Sequence, residues 1–379
     1  MVSPLGSGLA AFWDGLVAGR SAIARIRRFR TDDLDPATAA EVAVGDAPDA
    51  DRAGGFALGA TTEALAAARL RPDALDPARI GVVLGTTLGG MEIFEAWDRA
   101  DAAGDEPPSQ LDRVPYFAPA SRVAAAIGAR GPVMTTQLAC ASGTQAVAMA
   151  ADWVRAGRAD VVLAGGSDLL CRFVVAGFNS LRATAEVARP FDRDRRGLVL
   201  GEGAAMLVIE EEEHAARRGV RATARVLGTG AAGDAVHMTA PDREGGGVVR
   251  AIEAALADAG LAPAAVDFVS AHGTGTPFND AMEARALLQL FGERAVPVNS
   301  IKGAIGHTLG AAGAFEAVLC AEVLARGLVP PTAGLEQVDP ECAGLDLVRG
   351  AARPCAARVA LSTSSGFAGA NAALLLGRV

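Results

Sequence analysis

Aromatic residues make up only 4% of the 379-residue chain, with a single tyrosine among them. Platforms on which bases could stack are therefore scarce, and a formal net charge of −9 supplies no positive field for a phosphate backbone. Both absences argue against nucleic-acid binding. Cysteine is sparse as well: five residues, at 140, 171, 320, 342 and 355, an odd number without CxxC spacing. That pattern suits neither a disulfide framework nor a zinc ribbon and points to a reducing cytoplasm. The histidines, only four, are widely spaced and HExxH is absent, so no metal site is expected. No charge-free apolar run reaches the ~18 residues a membrane-spanning helix needs. The opening stretch MVSPLGSGLAAFWDGLVAGR lacks a basic start and carries Asp14 inside its apolar part, so it does not read as a signal peptide.

What is present is a globular composition, 51% hydrophobic and 21% charged. Short apolar runs at 79–87, 132–137, 160–167 and 204–210 predict strands, and so do 223–230, 266–273, 296–300, 358–364 and 371–377. Helical patterns occupy 56–70, 121–129, 141–157, 211–218, 246–260, 280–291 and 311–326. Nearly continuous apolar strands alternating with such helices predict an α/β protein with parallel-rich sheets covered on both faces. The order suggests two similar halves, 1–215 and 216–379, each closing on a pair of strands joined through a glycine-rich turn. The run GTGAAG (228–233) matches a dinucleotide fingerprint, but no helix follows it, so a pyrophosphate would lack its helix N-terminus.

Four stretches carry chemistry. TTQLACASGTQAV (135–147) sets Cys140 among small residues, between a strand and a helix. The first turn of a helix favours a thiolate and offers N–H groups to developing negative charge. A buried structural cysteine is the common alternative for a lone thiol. SAHGTGTPFND (270–280) places His272 directly after a strand, where α/β folds bind ligands. NSIKGAIGHTLGAAGAFE (299–316) repeats the arrangement with Lys302 and His307. The glycine-rich turn SSGFAGANAAL (364–374) lets backbone approach a substrate closely.

Taken in order, ACASG, HGTGTP, KGAIGHTLGAAGAFE and GFAGAN resemble the β-ketoacyl-acyl-carrier-protein synthases of the thiolase superfamily, in their elongating Cys-His-His form. RPFDRDRRGLVLGEGAAMLVIEEEEHAARRG (189–219) is also close to that family. The resemblance implies a duplicated βαβαβαββ fold with a five-layer α-β-α-β-α core. It implies that Cys140 takes an acyl chain from carrier protein, and that His272 and His307 hydrogen-bond a malonyl thioester and promote its decarboxylation. Lys302 and Glu316 would hold the network, the N–H groups of Cys140 and Ser365 would form the oxyanion hole, and Thr274, Thr276 and Phe367 would line the substrate path. No resident cofactor is expected, because phosphopantetheine arrives on the carrier protein. The partners implied are that protein and a second subunit, identical or of the chain-length-factor kind.

Three departures bear on substrate. The family begins with a strand of the type RVVVTGLG, whereas this chain starts at Val2-Ser3-Pro4, so a further strand of ~6–8 residues upstream is expected, or else an exposed sheet edge. Ser365 stands where the family has a bulky phenylalanine, and the 181–192 loop is short. These favour a specialised polyketide or polyene pathway over housekeeping fatty-acid synthesis. Two other readings of the same fold are a non-catalytic chain-length partner and a thioester hydrolase. Because chain and carrier are both acidic, docking needs a local basic patch, for which Arg193, Arg195 and Arg196 are candidates; an ordinary solvated turn is the alternative.

Overall fold

The structure, a computed structural model, describes residues 1–43, 51–292 and 294–379. The first half builds a six-stranded sheet from β1 (Val2–Ser3), β2 (Gly6–Ser7), β3 (Ile80–Gly85), β4 (Val133–Thr136), β5 (Val161–Asp168) and β6 (Gly203–Glu210). Their spatial order is β2-β1-β6-β5-β3-β4. The second half repeats the design with β7 (Ala224–Gly233), β8 (Phe268–Ser270), β9 (Pro297–Asn299), β10 (Asp346–Leu347), β11 (Val359–Gly366) and β12 (Ala370–Arg378), ordered β7-β12-β11-β8-β9-β10. In each half a central strand, β3 or β8, pairs in parallel on both sides, and the next strand turns back antiparallel. The strands β3 and β5 are buried along their whole length, which is why their sequences run apolar instead of alternating until β5 ends in Ser167 and Asp168.

Six helices set the layers: α1 (Arg52–Ala67), α2 (Ser142–Arg155), α3 (Arg172–Ser180), α4 (Gly246–Ala259), α5 (Pro277–Phe291) and α6 (Ala312–Arg326). One core joins Val147 of α2 and Phe315 of α6 to Val83 and Val162 of the first sheet and Leu374 of the second, so α2 and α6 lie between the sheets. Outside the first sheet, Phe56 and Ala60 of α1 pack on Val82 and Leu163. Outside the second, Ile252 of α4 and Leu287 of α5 pack on Leu361 and Leu375. Five layers result, α-β-α-β-α. Each fully buried Val or Leu contributes roughly 1.5–3 kcal/mol, so these three cores carry the fold.

The GTGAAG run lies inside β7. A Cβ at Gly228 or Gly230 would run into backbone of α4 at Ala255 or Ala251, so the glycines serve close strand–helix packing. At the start of the chain β1, two residues long, pairs with β6 through Val2 opposite Ala204. Among the described residues, the α-helices Leu9–Val17, Met91–Ala103 and α3 went unanticipated, as did the single turn Lys302–Ile305. Leu9–Val17 is apolar almost all round, and α3 is only nine residues long and holds two valines and a glycine, residues of low helix propensity. No helix among the described residues is long and apolar enough to cross a membrane.

Candidate active site

Between β4 and α2 the chain makes a tight elbow. Ala139 adopts φ +46°, a left-handed conformation that costs a non-glycine residue about 1 kcal/mol or more. Ser142 holds the turn, its hydroxyl donating to the Ala139 carbonyl at 2.6 Å and accepting from the Leu138 N–H at 2.8 Å. The elbow leaves Cys140 at the floor of a cavity of about 350 Å³, 8% exposed, just before α2. Burial pushes its thiol up to about 12, against the pull of the Lys302 cation; buried Asp168 and Glu316 add to the rise. Cys140 stands just before α2, whose dipole favours a thiolate, while burial acts in the opposite direction and favours the neutral thiol.

His272 follows β8 and His307 precedes α6, and both line the same cavity as Cys140. Their rings meet edge to face with centroids 5.2 Å apart. Burial, and then the charge of Lys302, holds both well below the ordinary imidazole value, so both are neutral at pH 7. His307 Nδ1 is buried without a hydrogen-bond partner. Lys302 is the only lysine in the sequence. Its ammonium is ion-paired with Glu316, donates to the His272 carbonyl, and stands 3.4 Å from His272 Nδ1. Glu316 also accepts from Ser364 at 3.2 Å, and Ser364 shares a 2.8 Å hydrogen bond with Thr144 of α2. A buried polar chain thus runs from the helix behind the cysteine to the first histidine.

Ser365 lines the cavity on the opposite loop, and its hydroxyl donates to Asn371 Oδ1 at 2.8 Å. A Cβ at Gly366 would stand 3.1 Å from the Cys140 nitrogen, so only glycine lets this loop pack on the elbow. Thr274 and Thr276 line the wall and share a 2.9 Å hydrogen bond. Phe367 lines it too, its ring stacked on Phe178 at 5.7 Å.

The three arginines divide. Arg195 is only 3% exposed at its side chain; it is ion-paired with Asp339 and donates to the Pro277 and Asp192 carbonyls at 3.1 Å. It braces the loop from inside and is withdrawn as a docking residue. Arg193 is exposed beside Asp194, while Arg196 lines the cavity itself.

Among the buried carboxylates that the sequence reading passed over are Glu283 and Asp168. Glu283 accepts from the His272 and Gly273 N–H groups at 2.7 and 2.8 Å and from Thr363 at 2.7 Å, pinning the histidine loop to α5 and β11. Burial lifts it to about 7 against those hydrogen bonds. Asp168 accepts from the Thr87, Leu88 and Gly310 N–H groups, tying the halves together. Glu283 was within reach of sequence, since it follows HGTGTPFND by three residues on the helix that motif begins.

Comparison with known proteins fits this geometry. Residues 1–215 match the family model for the beta-ketoacyl synthase N-terminal domain, and 223–336 match that for its C-terminal domain. A putative polyketide beta-ketoacyl synthase 1 of Streptomyces halstedii is 41% identical over 99% of this chain and 96% of its own length. The ishigamide ketosynthase/chain length factor structure superposes with a TM-score of 0.94 at 37% identity, covering 100% of this chain and 97% of that one. A ketosynthase structure in complex with its type II polyketide acyl-carrier protein, bound to a hexaketide, gives a TM-score of 0.93 at 30% identity, with 100% and 97% covered. With a nucleophile elbow, two neutral histidines and one buried ammonium gathered in a single cavity of this fold, the chain belongs to the β-ketoacyl synthase family of condensing acyltransferases.

Proposed function

We propose that the enzyme joins an acyl chain held on Cys140 to the two-carbon unit released from malonyl carrier protein, in specialised polyketide or polyene synthesis. The observation that carries this is the pair of neutral imidazoles beside a buried ammonium, opening on the same cavity as the thiol. In the first half-reaction the Cys140 sulfur attacks the acyl thioester. A C–S bond forms, the carrier's thiol leaves, and the Cys140 proton passes to it. A thiol held high by burial gives up that proton only as the leaving thiolate develops, which couples the two events.

In the second half-reaction the malonyl C–C bond breaks and CO₂ departs. The electron pair is held as an enolate whose oxygen accepts hydrogen bonds from His272 and His307. The enolate carbon then attacks the Cys140 acyl carbonyl, a C–C bond forms, and the cysteine sulfur leaves as a thiolate that takes up a proton from solvent. Neutral donors suit this step, since they stabilise the oxyanion without protonating the carbon that must react. The N–H groups of Cys140 and Ser365 serve the first tetrahedral oxyanion, and Lys302 with Glu316 orients His272.

No resident cofactor takes part; phosphopantetheine comes with the carrier protein in the cytoplasm. A second subunit, a copy of this chain or a chain-length-factor-like relative, meets the free edge of β4. Val133 and Met134 are exposed there beside Tyr116 and Phe117, an apolar face at the last strand of its sheet. Cys140 and both histidines speak against a non-catalytic partner, and a hydrolase leaves Lys302 and the second histidine without a task.

The test is intact-mass analysis after incubation with a panel of acyl carrier-protein thioesters. One acyl group per chain is expected on the wild type and none on Cys140→Ala. Release of free acid from the wild type without condensation would favour the hydrolase.

A further inference from the structure

The charged side chains lining the catalytic cavity, the histidines being neutral, are Arg182, Arg196 and Asp234. Asp234 is spoken for: one carboxylate oxygen accepts from Asn371 Nδ2 at 2.7 Å and the other from the Asp242 N–H at 3.0 Å. The two arginines are exposed, and neither guanidinium makes an ion pair or a side-chain hydrogen bond among the described residues. In a chain of net charge −9, the way to the nucleophile therefore carries two free cations.

Backbone geometry at Arg182 gives an independent reason to look there. Helix α3 ends in a left-handed turn, in which the Arg182 N–H donates to the Asn179 carbonyl at 2.9 Å and the Ala183 N–H to that of Phe178 at 3.2 Å. Arg182 occupies the turn with φ +53°. Glycine is the usual residue at such a helix end, and an arginine there is strained by about 1 kcal/mol or more. Folding alone favours glycine at this place. The arginine puts a guanidinium on the wall of the cavity, on a segment that runs beside the one bringing Arg196 to it, the Leu198 N–H donating to the Ala183 carbonyl at 2.9 Å.

We propose that Arg182 and Arg196 form an anion clamp at the cavity mouth that receives the phosphate of the phosphopantetheine arm. The proposal rests on the acyl-transfer function proposed above. An acyl group reaching buried Cys140 must come on a long arm through this opening, and the arm's anionic group is the phosphate at its far end. Guanidinium donors match phosphate oxygens in geometry as well as charge. Apolar Leu181 and Phe278 border the same opening and suit the uncharged part of the arm.

The experiment measures acylation of Cys140 by hexanoyl-phosphopantetheine and by hexanoyl-pantetheine, which differ only in the phosphate. At low ionic strength the wild type is expected to favour the phosphorylated thioester in kcat/KM by about tenfold, the scale of one charge-assisted hydrogen bond. Arg182→Ala and Arg196→Ala should each shrink that ratio several-fold and the double variant should bring it to about one. Arg196→Lys should recover part of it, and added salt should erode the wild-type ratio. Both side chains are exposed and unpaired, so their removal leaves the packing of the fold intact. A ratio unchanged in both single variants overturns the clamp. So does a loss seen only with carrier-protein thioesters, which would mean that the arginines face carboxylates on the carrier surface. A wild type that accepts acyl groups from no thioester defeats the acyl-transfer reading itself, and the clamp falls with it.

Discussion

The two halves of the molecule turn the same corner and put different residues at its apex. Ala139 in the first half and Leu309 in the second both take a positive φ, +46° and +53°, three residues before α2 and α6 begin. The next residue is Cys140 in one half and Gly310 in the other. The second residues of the two helices, Gly143 and Gly313, match as well: a Cβ on Gly143 would stand 2.7 Å from the Ala314 nitrogen, and one on Gly313 would meet the Thr144 nitrogen at 2.5 Å. The helices cross tightly at their starts. At the Gly310 elbow the N–H is taken by the Asp168 carboxylate, at the end of β5. At the Cys140 elbow the corresponding strand β11 ends in Gly366, which has no side chain, so that space stays open. The first half thus fills the second half's elbow with the Asp168 carboxylate, whereas the second half sets a glycine against the first half's elbow. The two frames are similar, and the thiol stands in the first. The histidines and the ammonium come from the second.

This division is open to attack, most severely through the chemistry that the second half lends to the first. His307→Ala should still accept an acyl group on Cys140, seen as one mass increment per chain. Release of CO₂ from malonyl carrier protein should fall by 10²–10⁴-fold, the usual yield of a well-placed proton-donating side chain. Loss of acylation with decarboxylation intact would reverse the assignment of tasks between the halves.

Glu283 offers a pH test of the second half alone. Its folded value of about 7 lies above the 4.5 of an ordinary glutamate, because burial dominates. The folded state then binds this proton more tightly than the unfolded chain, so the contribution to stability is full below about pH 4.5 and is lost as pH rises through about 7. A shift of that size is worth about 3 kcal/mol. Glu283→Gln should remove that slope: denaturant midpoints of wild type and variant, compared between pH 5 and 8, should converge or cross as pH rises. Parallel curves would show that the three hydrogen bonds keep the carboxylate ionised throughout.

At the elbows themselves, the same small side chain should be tolerated in one half and resisted in the other. Alanine for Cys140 removes only a sulfur and leaves the fold unchanged. Alanine for Gly310 brings a methyl to 2.7 Å from Asp168 Oδ2 and 2.8 Å from the Thr86 backbone, where nothing flexible can give way. Thermal unfolding should show a loss of about 1–3 kcal/mol for Gly310→Ala and almost none for Cys140→Ala. Equal stabilities would mean that the second elbow has room to spare.

Much of this was legible in the sequence because it is local. The strands 160–167 and 358–364, the elbow around Cys140, and the loops carrying His272, Lys302 and His307 announce themselves through runs of like residues and punctuating glycines. What stayed hidden depends on contacts across the chain. Nothing near Thr144 or Ser364 says that they meet, since 220 residues separate them. Arg195 looks like its neighbours Arg193 and Arg196 until Asp339 closes over it. The raised thiol of Cys140 follows from burial that no local pattern encodes.

The smallest effect is expected at Ser365, where the two loops face each other across the cavity. Its hydroxyl is fixed on Asn371, and Asn371 on Asp234, so the serine is held by the second half's own hydrogen bonds. The nearby Phe367 ring is stacked on Phe178, which occupies it on the side of α3. A serine side chain is far smaller than the bulky aromatic that the resemblance implies at 365, and the hypothesis is that a wide or rigid acyl group meets less resistance here, so that this enzyme accepts polyunsaturated or aryl-primed chains more readily than short saturated ones. Ser365→Phe restores the bulk and breaks the link to Asn371. Acylation of Cys140 by a bulky aryl-primed thioester should then slow several-fold more than acylation by hexanoyl thioester. The measure is the ratio of the two rates, because a general disturbance of the loop would slow both. If both slow alike, or neither does, Ser365 is no gate and chain selection lies with the second subunit at the edge of β4.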